Sequence, residues 1–149
     1  MNQDYEFEIK LKENEIAKTA LVILPLRERK LVKLKNRLKE ENARLAKLHK
    51  LMKKGERRLT IYRHQYKNAI EDFAKHHTGV ILMHEKLFQT LEAEKLCRAN
   101  LMNQEAENQE VAEHILKQGI VIESINKEIK DCQKEIEKIE VILSEKGLL

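Results

Sequence analysis

The sequence predicts an all-α protein, a long antiparallel two-helix coiled-coil hairpin. Three observations carry that prediction. The first is a heptad frame. Stepping by seven from Leu24 gives Leu31, Leu38, Leu45, Met52, Leu59, Tyr66, Phe73, Val80, Leu87, Glu94, Leu101, Asn108, Ile115, Ile122, Ile129, Ile136 and Leu143, of which only Glu94 and Asn108 are polar. A companion series three residues on includes Leu34, Leu48, Tyr62, Ala69, Met83, Cys97, Val111, Ile125, Cys132 and Ile139. Apolar residues at this 3–4 spacing form the seam of a coiled coil. The second observation is composition: 36% of the 149 residues are charged, Trp is absent, and there are one Pro and four Gly. A sheet needs turn punctuation that is missing here, and a globular core of this size draws on more aromatics. The third is a single break near the middle, at Lys75-His76-His77-Thr78-Gly79.

The first helix is expected over about 3–76. Its apolar stripe begins out of frame, at Ile9, Ile16 and Ile23, and Pro25 removes an interior amide donor, so a kink or restart is expected there. The turn is expected at about 76–79. Lys75 and the histidines suit the negative end of a helix dipole, and Thr78 suits an N-cap. The second helix is expected over about 79–146, within one domain spanning 1–149. Arms of this length are on the order of 100 Å long. The frame also fits a continuous dimeric rod, because Phe73 to Val80 is itself one heptad.

Charge and size favour the hairpin. Residues 1–77 carry 20 Lys and Arg against 11 Asp and Glu, whereas residues 78–149 carry 9 against 14. Folded side by side, the two halves attract. A turn centred on Thr78 pairs residue i with residue 156 − i. Small residues then meet large ones: Ala17 with Ile139, Ala20 with Ile136, Gly55 with Leu101 and Ala69 with Leu87, which fills the seam evenly. Glu41, Gln104, Asn108 and Gln118 occupy seam positions with Gly55 and Gly119 nearby, so the middle of the seam is expected to be looser. Polar seam residues also serve to fix register.

Several kinds of chemistry lack a pattern. There is no Gly-rich phosphate loop, no paired-cysteine zinc spacing and no nucleophile elbow, so no enzyme is expected. His76, His77 and His84 have no acidic or thiol companions and read as a solvated turn, with no metal or other cofactor implied. Cys97 and Cys132 fall on the seam and read as reduced thiols. No apolar run reaches the ~18–20 residues of a membrane span. The acidic start, with Asp4, Glu6 and Glu8, fits neither a signal nor a transit peptide. Arg27–Lys67 is the most basic stretch, but it matches no recognisable nucleic-acid-binding module, which argues against nucleic acid as the partner.

One segment departs from a generic coiled coil. It reads Leu59-Thr-Ile-Tyr62-Arg-His-Gln-Tyr66-Lys-Asn-Ala-Ile70 before the turn and Leu87-Phe88-Gln89-Thr90-Leu91-Glu92 behind it. This segment of about 34 residues resembles the FliJ/YscO family of flagellar and type III secretion export proteins, which has tyrosines four apart ahead of the turn and a Phe/Leu-x-Gln-Thr-Leu-Glu run after it. The chain departs from that pattern at Leu87, where the family tends to a Phe, at Gly55, where it tends to a polar side chain, and at Glu94, where it tends to a small one.

The resemblance implies a non-enzymatic central stalk and adaptor of a bacterial export apparatus. It would be cytoplasmic and peripheral to the inner membrane. Its implied partners are the hexameric export ATPase, the export gate membrane protein of the FlhA/SctV type and export chaperones, with no small-molecule substrate. Carried over by position, the gate-facing surface would use Leu59, Tyr62, Tyr66, Leu87 and Leu91. Four of these lie on the seam, where intramolecular packing is the competing role, and Tyr62 is expected opposite Glu94 and Tyr66 opposite Thr90. Leu91 lies one step off it. Two other readings stay open: a generic structural or scaffolding coiled coil, and a polyanion binder acting through Arg27–Lys67.

Overall fold

The computed structural model describes residues 2–77 and 84–149. Helix α1 runs from Asn2 to His77 and helix α2 from His84 to Glu145. Both ends of α1 and the C-terminal end of α2 fall within a residue of expectation. The expected turn residues Thr78 and Gly79, and the first residues assigned to the second helix, lie outside the described residues. Contacts group the chain into two units, Met1–Ala43 with Ile120–Leu149 and Arg44–Gly119. In each, α1 and α2 pack antiparallel, as the two-helix coiled-coil hairpin requires.

Helix α1 continues through Pro25 unbroken, so the expected restart does not occur. Proline has no N–H, and the Leu21 carbonyl therefore receives no amide hydrogen from the residue four further on. The Pro25 ring is exposed, which spares it any clash with α2. Threonines within the helices turn their hydroxyls inward along the chain: Thr19 donates to the Glu15 carbonyl at 2.9 Å and Thr60 to the Glu56 carbonyl at 3.0 Å. Such bonds let a β-branched polar residue sit mid-helix.

The core of the first unit is the seam. Leu34, Ile125, Ile129, Cys132 and Ile136 form a buried cluster, with Leu24, Leu31, Leu38 and Val121 packed against it. Fully burying a Leu or Ile side chain is worth roughly 1.5–3 kcal/mol, so these few residues supply much of the unit's stability. Ala17 and Ala20 are the first buried residues of α1. At the same end, α2 closes in a Schellman motif. Gly147 adopts a φ of 71°, its N–H donates to the Ser144 carbonyl at 3.0 Å, and the Leu148 N–H donates to the Leu143 carbonyl at 2.9 Å. Glycine suits that left-handed position because it has no Cβ.

Register differs from the expectation by about one helical turn. The Cys132 thiol donates to the Arg27 carbonyl at 3.3 Å, where Ile129 had been expected opposite Arg27. Lys146 Nζ lies 2.9 Å from Glu13 Oε2. A Cβ added at Gly55 would meet Asn108 and Gln104, not Leu101. Thus the pairing of Gly55 with Leu101 is corrected. The physical reason is degeneracy: a continuous frame aligns with itself at more than one turn position, so seam membership does not fix the offset.

The two helices do attract across the first unit. Arg27 Nε sits 2.9 Å from Glu135 Oε2, in addition to the Glu13–Lys146 pair. Both pairs are partly exposed, so each contributes at most about 1 kcal/mol. Polar seam residues are buried as the frame implies, with Glu41 8% and Gln104 6% exposed. Gln104 donates to the Asn108 side-chain carbonyl at 2.9 Å, which satisfies part of its amide. Gly55 leaves the room that this amide pair occupies.

Candidate partner-binding surface

The Leu59–Glu92 segment falls in the second unit, on both helices. Leu59, Tyr62, Tyr66 and Leu87 are half-buried along the seam, and Leu91 is 38% exposed. The four heptad positions are thus less exposed than Leu91, which lies one step off the frame. Two packed helices cannot enclose a large aromatic, so Tyr62 and Tyr66 keep accessible edges. Thr90, expected opposite Tyr66, donates its hydroxyl to the Lys86 carbonyl at 2.7 Å, within its own helix.

Phe88 was not among the candidates, yet it is 65% exposed beside Leu91. His84, Glu85, Leu87, Phe88 and Leu91 together line an open apolar depression of about 390 Å³. The signal was present in the sequence: Phe88 follows a seam position by one residue, and about 100° of helical rotation carries it away from α2. A second open groove, of about 520 Å³, lies on the seam flank between Gln65, Ala69 and Asp72 of α1 and Gln89, Ala93 and Cys97 of α2. The two surfaces differ in character: beside the first depression Phe88 and Leu91 project as an apolar ridge, whereas the second is lined by small and amide side chains.

Exposed charges lie in the same unit. Arg57, Arg58, Arg63 and Lys67 are exposed on α1, and Lys95 lies 3.9 Å from Glu92 on α2. Cys97 is half-buried and Cys132 buried, and both are free thiols. Among the described residues no group of three or more His, Cys, Asp or Glu is placed to hold a metal ion. No helix among them is long and apolar enough to cross a membrane. The arrangement offers apolar side chains and hydrogen-bonding edges on a rigid helical support, which is chemistry suited to protein contact.

In comparisons with known proteins, no family model, curated protein or solved structure matches the chain. The class of protein rests on the fold and surface alone: an all-α, two-helix coiled-coil scaffold.

Proposed function

We propose that the chain is a non-enzymatic scaffold and adaptor that binds protein partners on its outward helix faces. The observation that carries this reading is the apolar ridge of Phe88 and Leu91, 65% and 38% exposed, held beside a seam that the hairpin has already filled. Apolar side chains that the core does not use are what a partner helix or groove would cover. Replacing both residues with Asp leaves folding intact, because neither supports the seam. Proteins that co-purify with the wild-type chain should then be lost. Unchanged co-purification would overturn the ridge as the binding surface.

The resemblance of Leu59–Glu92 narrows the proposal to the stalk and adaptor of a flagellar or virulence type III export apparatus. In this reading the chain is cytoplasmic, peripheral to the inner membrane, and engages the export ATPase, the gate protein and export chaperones. Leu91 and Phe88, with the edges of Tyr62 and Tyr66, contact the gate, while Leu59 and Leu87 hold the ridge in place from the seam. Support comes from the motif and from the exposure of Leu91 outside the seam. The test is a purified system: the chain should raise the turnover of the cognate ATPase and bind the soluble part of the gate protein. An unchanged ATPase rate with no binding to either would end the export reading and leave the scaffold.

A further inference from the structure

From Gln3 to Leu11 no side chain of α1 is buried against α2, which α1 first meets at Lys12, Glu13 and Ile16. Every residue from Gln3 to Ile16 is exposed, and Ala17 is the first buried one. The ion pair of Lys146 with Glu13 puts the capped end of α2 level with Glu13, so the residues before it lie beyond α2. Four large apolar side chains stand there in water: Tyr5 68%, Phe7 65%, Ile9 39% and Leu11 48% exposed.

Their spacing does not suit the helix. The sequence from Asp4 to Lys12 alternates strictly, with Asp4, Glu6, Glu8, Lys10 and Lys12 separated by Tyr5, Phe7, Ile9 and Leu11. At about 100° per residue, Tyr5 and Ile9 fall on one side of the helix while Phe7 and Leu11 fall nearly opposite. Neither pair makes a stripe that a partner helix can cover. In an extended strand the same four residues share one face and all five charges share the other.

The charges also have an order. Glu6 and Glu8 precede Lys10 and Lys12, so residues 6–12 complement themselves when reversed. With Ile9 on a two-fold axis, Glu8 meets Lys10 of a second copy, Glu6 meets Lys12, Phe7 meets Leu11 and Ile9 meets Ile9. Every charge on these pairs is opposed by its counterpart. A parallel alignment would instead set Glu on Glu and Lys on Lys, which is destabilising. Isologous contacts of this kind are what a two-fold interface requires.

We propose that Glu6–Lys12 is an association segment that pairs antiparallel, in extended form, with the same segment of a second copy of this chain. Leaving the helix there sacrifices no buried side chain. A two-stranded ribbon alone is marginal. Its apolar face therefore packs against the face of another ribbon, and the assembled species are even-numbered.

Charge-swap variants of the full chain test the proposal by sedimentation from the micromolar to the millimolar range. The wild type should associate. E6K/E8K and K10E/K12E should each bind themselves about a hundredfold or more weakly, since four attractive pairs become repulsive. Mixing the two variants should restore association, and the four-fold swap E6K/E8K/K10E/K12E should keep it. Association should bring in an antiparallel-sheet amide I band, while the helical melt of each variant stays at the wild-type temperature. A monomeric wild type throughout the range overturns the proposal. So does self-association of E6K/E8K at wild-type strength, or association without the sheet band.

Discussion

The thiol of Cys132 donates across the seam to the main-chain carbonyl of Arg27, 3.3 Å away, two residues past the proline that leaves α1 one amide short. At 2% exposure Cys132 is also part of the core of the first unit, whereas Cys97 is half-buried. The two thiols should therefore react at different rates. In native protein a disulfide reagent should modify Cys97 readily and Cys132 only as the hairpin opens, as mass spectrometry of the labelled peptides would show. Cys132→Ala should lower stability by about 1–3 kcal/mol, through a small cavity and the lost bond. Equal labelling of both thiols in native protein would contradict this packing.

Gly55 sets a test of the polar layer. A Cβ there would overlap Asn108 Oδ1 and lie 3.3 Å from Gln104 Nε2. Gly55→Ala gains about 1 kcal/mol of helix propensity, but displacing Asn108 leaves the buried Gln104 amide without its acceptor, at about 1–3 kcal/mol. A net loss of stability is expected for the single variant in urea unfolding. In the double variant with Asn108→Ala the overlap vanishes, and the midpoint should recover relative to Asn108→Ala alone. A single variant more stable than wild type would show that Asn108 moves aside freely.

Pro25 is exposed and buries nothing, so its removal isolates the backbone effect. Pro25→Ala restores a donor to the Leu21 carbonyl and should stabilise the protein by about 1–3 kcal/mol. Thermal denaturation should show the rise. An unchanged melting temperature would mean that the helix has already compensated at this position.

Seam and ridge residues should separate cleanly in a stability assay. Leu87→Asp and Leu59→Asp place a charge against the opposing helix and should destabilise by several kcal/mol. Phe88→Asp and Leu91→Asp change side chains that project from it, and should shift stability by about 0.5 kcal/mol or less. If all four destabilised alike, Phe88 and Leu91 would belong to the core and not to a docking surface.

Seam membership was legible in the sequence because burial in a two-helix protein follows the heptad almost residue by residue. Ile125, Ile129, Cys132 and Ile136 are buried where the frame places them, and Leu91 is exposed one step away. The offset between helices was not legible. Sliding the frame by a turn still sets apolar against apolar, and only contacts such as Gly55 with Gln104 and Asn108 distinguish the alternatives. Of the candidate surface, the tyrosines and Leu91 could be named from the motif. Phe88 is not among the positions that the motif carries over, and its outward direction follows from its place one residue past the seam.

The cap on α2 has a consequence for timing. Leu148 closes the last turn onto the carbonyl of Leu143, whose side chain is fully buried, so opening that turn disturbs the core. The amides of Gly147 and Leu148 share their bonds with it and should exchange hydrogen slowly for a chain end. Level with them, α1 enters the segment where nothing packs, and its amides answer only to local helix fraying. One end of the protein thus carries two clocks: a slow strand of chain fastened to the core, beside a fast one free to be captured.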